Sequence, residues 1–86
     1  SSQNSFEYEI NINRSNLSFD SLFKDNIQMI LREMENNNLD IKDAKVIAKN
    51  ISDFFIDSVQ QSNFRYRLRN IHDSASFIVF LKSFLE

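Results

Sequence analysis

The chain has 86 residues, a formal charge of −2 at pH 7, nine phenylalanines, and no cysteine, glycine or proline. That length gives room for one hydrophobic core, and a balance so close to neutral is not that of a general nucleic-acid binder or a cationic membrane-surface peptide. Without Cys there are no disulfides, thiol nucleophiles or Cys-ligated zinc sites, and without Gly the Walker A, Rossmann and GXXG phosphate-binding loops are excluded.

Residues 1–5, SSQNS, are polar and read as a frayed end. Residues 6–12, FEYEINI, alternate strictly: Phe6, Tyr8, Ile10 and Ile12 fall on one side, Glu7, Glu9 and Asn11 on the other. That period of two predicts a half-buried strand, with NRSN (13–16) as the following turn. From Ser18 to Glu35 the period changes. Phe19, Leu22, Phe23, Ile27, Ile30, Leu31 and Met34 follow the 3–4 spacing of a helix with one apolar stripe. Ser18 or Asp20 can cap its start. The run Asn36-Asn37-Asn38 ends it, because Asn tolerates the left-handed backbone that a helix C-terminus often requires.

The clearest local signal is LDIKDA (39–44). Asp40 is the expected N-cap, Asp43 completes a variant capping box, and Leu39 and Ala44 take the staple positions. The apolar stripe of this second helix reads as continuous from Ile41 through Phe54 and Phe55 to Val59, with Lys42, Lys45, Lys49, Asp53 and Asp57 outside it. Lys49 and Asp53 are spaced as an i,i+4 ion pair. QQSN (60–63) is then an exit loop, and FRYRLR (64–69) returns to alternation, with Phe64, Tyr66 and Leu68 opposite Arg65, Arg67 and Arg69. This predicts a second strand. A third helix follows, capped by Asp73 or Ser74, with Phe77, Ile78, Phe80, Leu81, Phe84 and Leu85 as a broad apolar face.

The expected fold is therefore α+β: three amphipathic helices packed on a small two-stranded antiparallel sheet, in the order β-α-α-β-α. The alternative is a mainly α helical bundle. A helical hairpin would bring residues 64–69 back beside residues 6–12. The Glu7 and Glu9 row would then pair with Arg65 and Arg67, which fixes register at roughly 0.2–1 kcal/mol per cross-strand pair. Residues 1–86 form one domain. The chain starts Ser-Ser without Met and stops just after an apolar SFLE, so it reads as a domain excised from a longer protein, encoded by an AT-rich genome.

No constellation rises to a chemical mechanism. His72-Asp73-Ser74 holds the residue types of a hydrolase triad, but adjacent residues cannot form one, and helix capping explains them. The tripeptides at Asn13, Asn16 and Asn50 match glycosylation acceptors at a frequency expected by chance in so Asn-rich a chain. The residues that stand out are the arginine row Arg65, Arg67 and Arg69 and the helix-3 residues Phe80, Phe84 and Leu85. Helix 3 carries more apolar surface than one side of a small core easily covers, so it is either central to that core or shared with another subunit. The expected function is a small non-catalytic protein-interaction or oligomerisation domain, acting through this apolar face and an open strand edge. Its partner would be another protein or a second copy, as a homo-oligomer such as a dimer. The alternative is a nucleic-acid-binding or regulatory module using the basic strand. No metal or cofactor is implied, no segment is long enough to span a membrane, and a cytoplasmic location is expected.

Overall fold

The computed structural model describes residues 20–86. The expected strand at 6–12, the turn at 13–16 and the polar end at 1–5 lie outside the described residues, as do Ser18 and Phe19. The described residues form four helices, with no strand among them: α1 over 20–35, α2 (Ile41–Ser52), α3 (Ser58–Arg69) and α4 (Ser74–Lys82). The α+β expectation is thereby overturned, and the alternative, a helical bundle, is the architecture found.

Helix α1 buries Phe23, Ile27 and Ile30, spaced four and three apart, while Leu22 faces outward. Its end is settled by local chemistry. Asn37 adopts φ 61°, Asn38 N–H donates to Glu33 O at 2.9 Å and Asn37 N–H donates to Met34 O at 3.1 Å. That pair of bonds is a Schellman motif, closed here by Asn rather than Gly. Where the motif usually adds an apolar contact, the Asn38 side-chain amide instead donates to Glu33 Oε2 at 3.0 Å. Helix α2 begins as read, with Asp40 accepting from the Asp43 N–H at 2.9 Å. It presents Ala44, Ala48 and Ser52 to the core.

The second helix does not run on to Val59. It stops at Ser52, where the N–H groups of Asp53, Phe54 and Phe55 donate to carbonyls three residues back, each at 3.1 Å. The corner from 53 to 57 turns Phe55 inward and leaves Phe54 and Ile56 outside. Asp57 then starts a new helix, accepting from Val59 N–H at 2.8 Å and Gln60 N–H at 3.3 Å through one carboxylate oxygen. QQSN is thus the first turns of α3 rather than a loop, and FRYRLR is its continuation rather than a strand.

The reason lies in how a helix treats alternating residues. At about 100° per residue, Phe64 and Leu68 lie 40° apart, whereas Tyr66 lies about 200° away from Phe64. Phe64 and Leu68 are accordingly buried, and Tyr66 is 63% exposed. The alternation is met by sending one aromatic residue to solvent. Residues 60–69 contain no β-branched residue, and Gln, Arg and Leu are good helix formers. Arg67 and Arg69 stand in the last turn, where cations oppose the negative end of the helix dipole.

The core is largely phenylalanine at one end. Phe64 meets Phe23, Phe55, Phe80 and Phe84 with ring centroids 6.1, 5.3, 5.2 and 5.4 Å apart. Most pairs are tilted or edge-on, the arrangement that ring quadrupoles favour. Helix α4 contributes Phe77, Phe80 and Leu81, and a turn after Lys82 carries Phe84 back against Phe23 at 5.4 Å. At full burial each ring contributes roughly 1.5–3 kcal/mol before entropy is subtracted. Helix α4 is therefore central to the core. No helix among the described residues is long and apolar enough to cross a membrane.

Candidate functional site

The expected pairing of Glu7 and Glu9 with Arg65 and Arg67 has no sheet to form in, because the arginines stand on a helix. Consecutive odd positions on α3 are about 200° apart, so Arg65 and Arg69 lie toward one side and Arg67 toward the other. There is no arginine row. Each of the three has its own surroundings.

Arg65 is committed to the α2–α3 corner. Its Nε donates to Ser52 Oγ at 2.8 Å and its Nη2 pairs with Asp53 Oδ1. Asp53 therefore pairs with Arg65 rather than with Lys49. Ser52 is completely buried and fully satisfied: its hydroxyl donates to Lys49 O at 2.5 Å, and its carbonyl accepts from Gln61 Nε2 at 2.8 Å. Two side chains of α3 thus close the C-terminus of α2. Lys45, read as a solvent-facing residue, similarly reaches Ile71 O at 2.5 Å and ties the α3–α4 connection to α2.

Arg67 faces α4. Its guanidinium carbon lies 4.7 Å from the Phe80 ring centroid, within cation–π range. This stack divides a surface groove between α3 and α4 into two basins. One, of about 480 Å³, is walled by Val59, Asn63, Phe64 and Phe84, with Asp57 at its end. The other, of about 370 Å³, is walled by Tyr66, Asn70, Ile71, Ser76 and Val79. Val59, Tyr66 and Val79 are all more than 60% exposed. The groove therefore has an aromatic floor, a rim that mixes Val59, Tyr66, Ile71 and Val79 with the polar Asp57, Asn63, Asn70 and Ser76, and one cation across its middle.

Of the other expected residues, Phe80 is 2% exposed and serves as that floor rather than as a contact surface. Phe84 and Leu85 are half-buried against the core, and Arg69 is exposed and forms no ion pair among the described residues. Tyr66, Val59 and Val79 were not singled out by sequence reasoning. Reading Asp57-Ser58 as a helix cap would have placed Val59, Asn63, Tyr66 and Asn70 in one row at 3–4 spacing and exposed the pattern.

The His72-Asp73-Ser74 stretch caps α4, with Asp73 Oδ2 accepting the Ser76 N–H at 2.8 Å. That hydrogen bond is the main cause holding the Asp73 carboxyl below the ordinary Asp range, with a smaller contribution from the neighbouring His72 charge. No group of three or more His, Asp or Glu side chains suited to a metal ion occurs among the described residues. Comparison with protein-family models, curated proteins and solved structures finds no match for this chain.

Proposed function

We propose that this domain is a non-catalytic protein-interaction module that holds an acidic, apolar segment of a partner protein along the α3–α4 groove. The observation that carries this reading is Arg67, exposed, stacked on Phe80, and free of any ion pair among the described residues. A guanidinium lying on a ring is already oriented, so its forked donors can take a carboxylate with little further ordering. Apolar side chains on either side of that carboxylate would enter the two basins, against Val59 and Phe84 on one hand and Tyr66 and Val79 on the other. Large apolar side chains around a central cation suit a binding hot spot better than a solvated face.

The strand edge has no part in this reading. The nucleic-acid alternative is weakened because the three arginines no longer share a face, and Arg65 is engaged within the fold.

Selection from a randomised peptide library against the full chain is expected to enrich Asp or Glu flanked by Leu, Ile or Phe. Affinity for such peptides should fall about tenfold, about 1.4 kcal/mol, on Arg67→Ala and again on Val79→Asp. Peptides that bind both variants as well as the parent would sink the proposal. So would a salt-dependent affinity for oligonucleotides that disappears with Arg67→Ala, or self-association through the same groove seen by sedimentation.

A further inference from the structure

A second groove, of about 390 Å³, runs along the outer seam between α1 and α2. Its walls include Leu22 and Asn26 from α1, Ile47 and Asn50 from α2, and Phe54 from the corner, and none of its lining residues is charged. The start of α1 thus lies beside the end of α2, so the two helices run antiparallel. On α1 the row at 3–4 spacing that begins with Leu22 and Asn26 continues through Met29 to Glu33. On α2 the row that ends with Ile47, Asn50 and Phe54 begins at Asp43. Antiparallel packing sets the rows in register: Leu22 level with Phe54, Asn26 with Asn50, Met29 with Ile47, and Glu33 with Asp43. One end of the seam is therefore apolar, with Leu22 and Phe54 more than 60% exposed, and the other is acidic. About 16 Å of helix separates the two ends.

We propose that this seam docks an amphipathic helix of a partner protein, whose apolar stripe enters between Leu22 and Phe54 and whose lysine or arginine residues reach Glu33 and Asp43. Charge decides the occupant. Neither carboxylate takes part in an ion pair among the described residues, and Glu33 accepts its hydrogen bond from a neutral donor, the Asn38 amide. Arg32 and Lys42, their neighbours in sequence, stand about 100° round each helix and pair with neither. Two like charges at one end of an otherwise uncharged cleft favour a cation there and discriminate against an anion. A second copy of this chain does not meet that requirement. Joined seam to seam about a two-fold axis along the seam, two copies would set carboxylates on carboxylates. With the axis across the seam, they would set carboxylates on Leu22 and Phe54. The occupant is helical because a seam between two packed helices receives a third by the same fit of ridges into grooves. About three turns of it match the length of the seam. This inference uses no residue of the α3–α4 groove and is independent of it.

The test titrates the isotope-labelled full chain with Ala- and Gln-rich helical peptides of about 18 residues. Each carries one Leu stripe followed by Lys residues at a separation stepped from about seven to eleven positions, and a matched set carries Glu in place of Lys. At least one Lys peptide should shift the amide resonances of Leu22, Asn26, Ile47 and Asn50 and leave those of Tyr66 and Val79 in place. Its Glu counterpart should bind about tenfold more weakly. Glu33→Gln combined with Asp43→Asn should erase that preference. Leu22→Glu should abolish binding, with unchanged resonances from α3 and α4 showing that the domain is still folded. Arg67→Ala should leave the binding intact, since Arg67 belongs to the other groove. Equal affinity for Lys and Glu peptides, shifts confined to α3 and α4, a preference that survives the neutral pair, or no binding by any Lys peptide would overturn the proposal. So would concentration-dependent shifts at the seam without peptide, which would assign it to a second copy.

Discussion

The two connections that flank α2 solve the same problem by different means. At the α1–α2 turn everything needed lies within a few residues: Asn37 takes the left-handed backbone, Asn38 and Glu33 close the helix end, and Asp40 opens the next one. At the α2–α3 corner the carbonyl of Ser52, which also takes the Phe55 N–H, is met by Gln61, nine residues on, and its hydroxyl by Arg65, thirteen residues on. The first turn is written locally. The second exists only when α3 has folded back onto α2. A corner of this kind should be more cooperative with the core and more damaging to lose.

The largest effect is expected where the corner meets the aromatic cluster. Phe64→Ala removes a ring that touches Phe55 in the corner and three other phenylalanines, and should cost about 3–5 kcal/mol in chemical denaturation. A loss below about 1 kcal/mol would mean that α3 is not anchored there.

Next comes Arg65. Arg65→Ala deletes the bond to buried Ser52 and the packing of the aliphatic stem, with an expected loss of about 1–3 kcal/mol. Asp53→Asn removes only the ion pair, whose carboxylate side is 60% exposed, and should change stability by less than about 1 kcal/mol. If the two substitutions cost the same, the corner is held by charge rather than by the hydrogen bond to Ser52.

The local turn should respond to backbone conformation alone. Asn37→Ala places a less tolerant residue at positive φ and should cost about 1 kcal/mol, whereas Asn37→Gly should be close to neutral. Thermal melts of the two variants separate these outcomes. Similar losses for both would show that the Asn side chain, and not its backbone freedom, closes α1.

The smallest effect concerns the cap of α4. Because the folded carboxyl of Asp73 is held below its ordinary value, its contribution is present above the pKa of the unfolded chain and is lost as pH falls through the folded pKa. Denaturation midpoints measured from neutral pH into the acid range should fall less steeply for Asp73→Asn than for the parent chain. Identical slopes would show that the capping bond does not discriminate between the charged and neutral carboxyl.

These contrasts explain which parts of the fold were legible beforehand. The Asn run, the Asp40 cap and the Asp73 cap were readable because a cap is made within about three residues of itself. The apolar stripes of α1 and α2 were readable because a period of 3.6 sustained over several turns has few competing explanations. The stretch 64–69 was not. Over six residues, Phe64 and Leu68 fit a helical face and an alternating strand equally well, and the choice falls to Tyr66, whose exposure depends on what packs nearby. Nor did the stripe from Ile47 to Val59 reveal its break, since apolar spacing alone does not distinguish a helix that continues from one that turns and restarts at Asp57.

The sequence by itself determined the absence of thiol and glycine-loop chemistries, the caps of α2 and α4, and the aromatic material from which the core is built. Only the tertiary structure decided that the arginines part company, that Phe80 becomes the floor of a groove, and that Ser52 can be buried as a polar residue. The physical reason is that caps and periodic stripes are satisfied by neighbours in the chain. The fate of a guanidinium, a hydroxyl or an isolated ring depends on groups brought close only by folding.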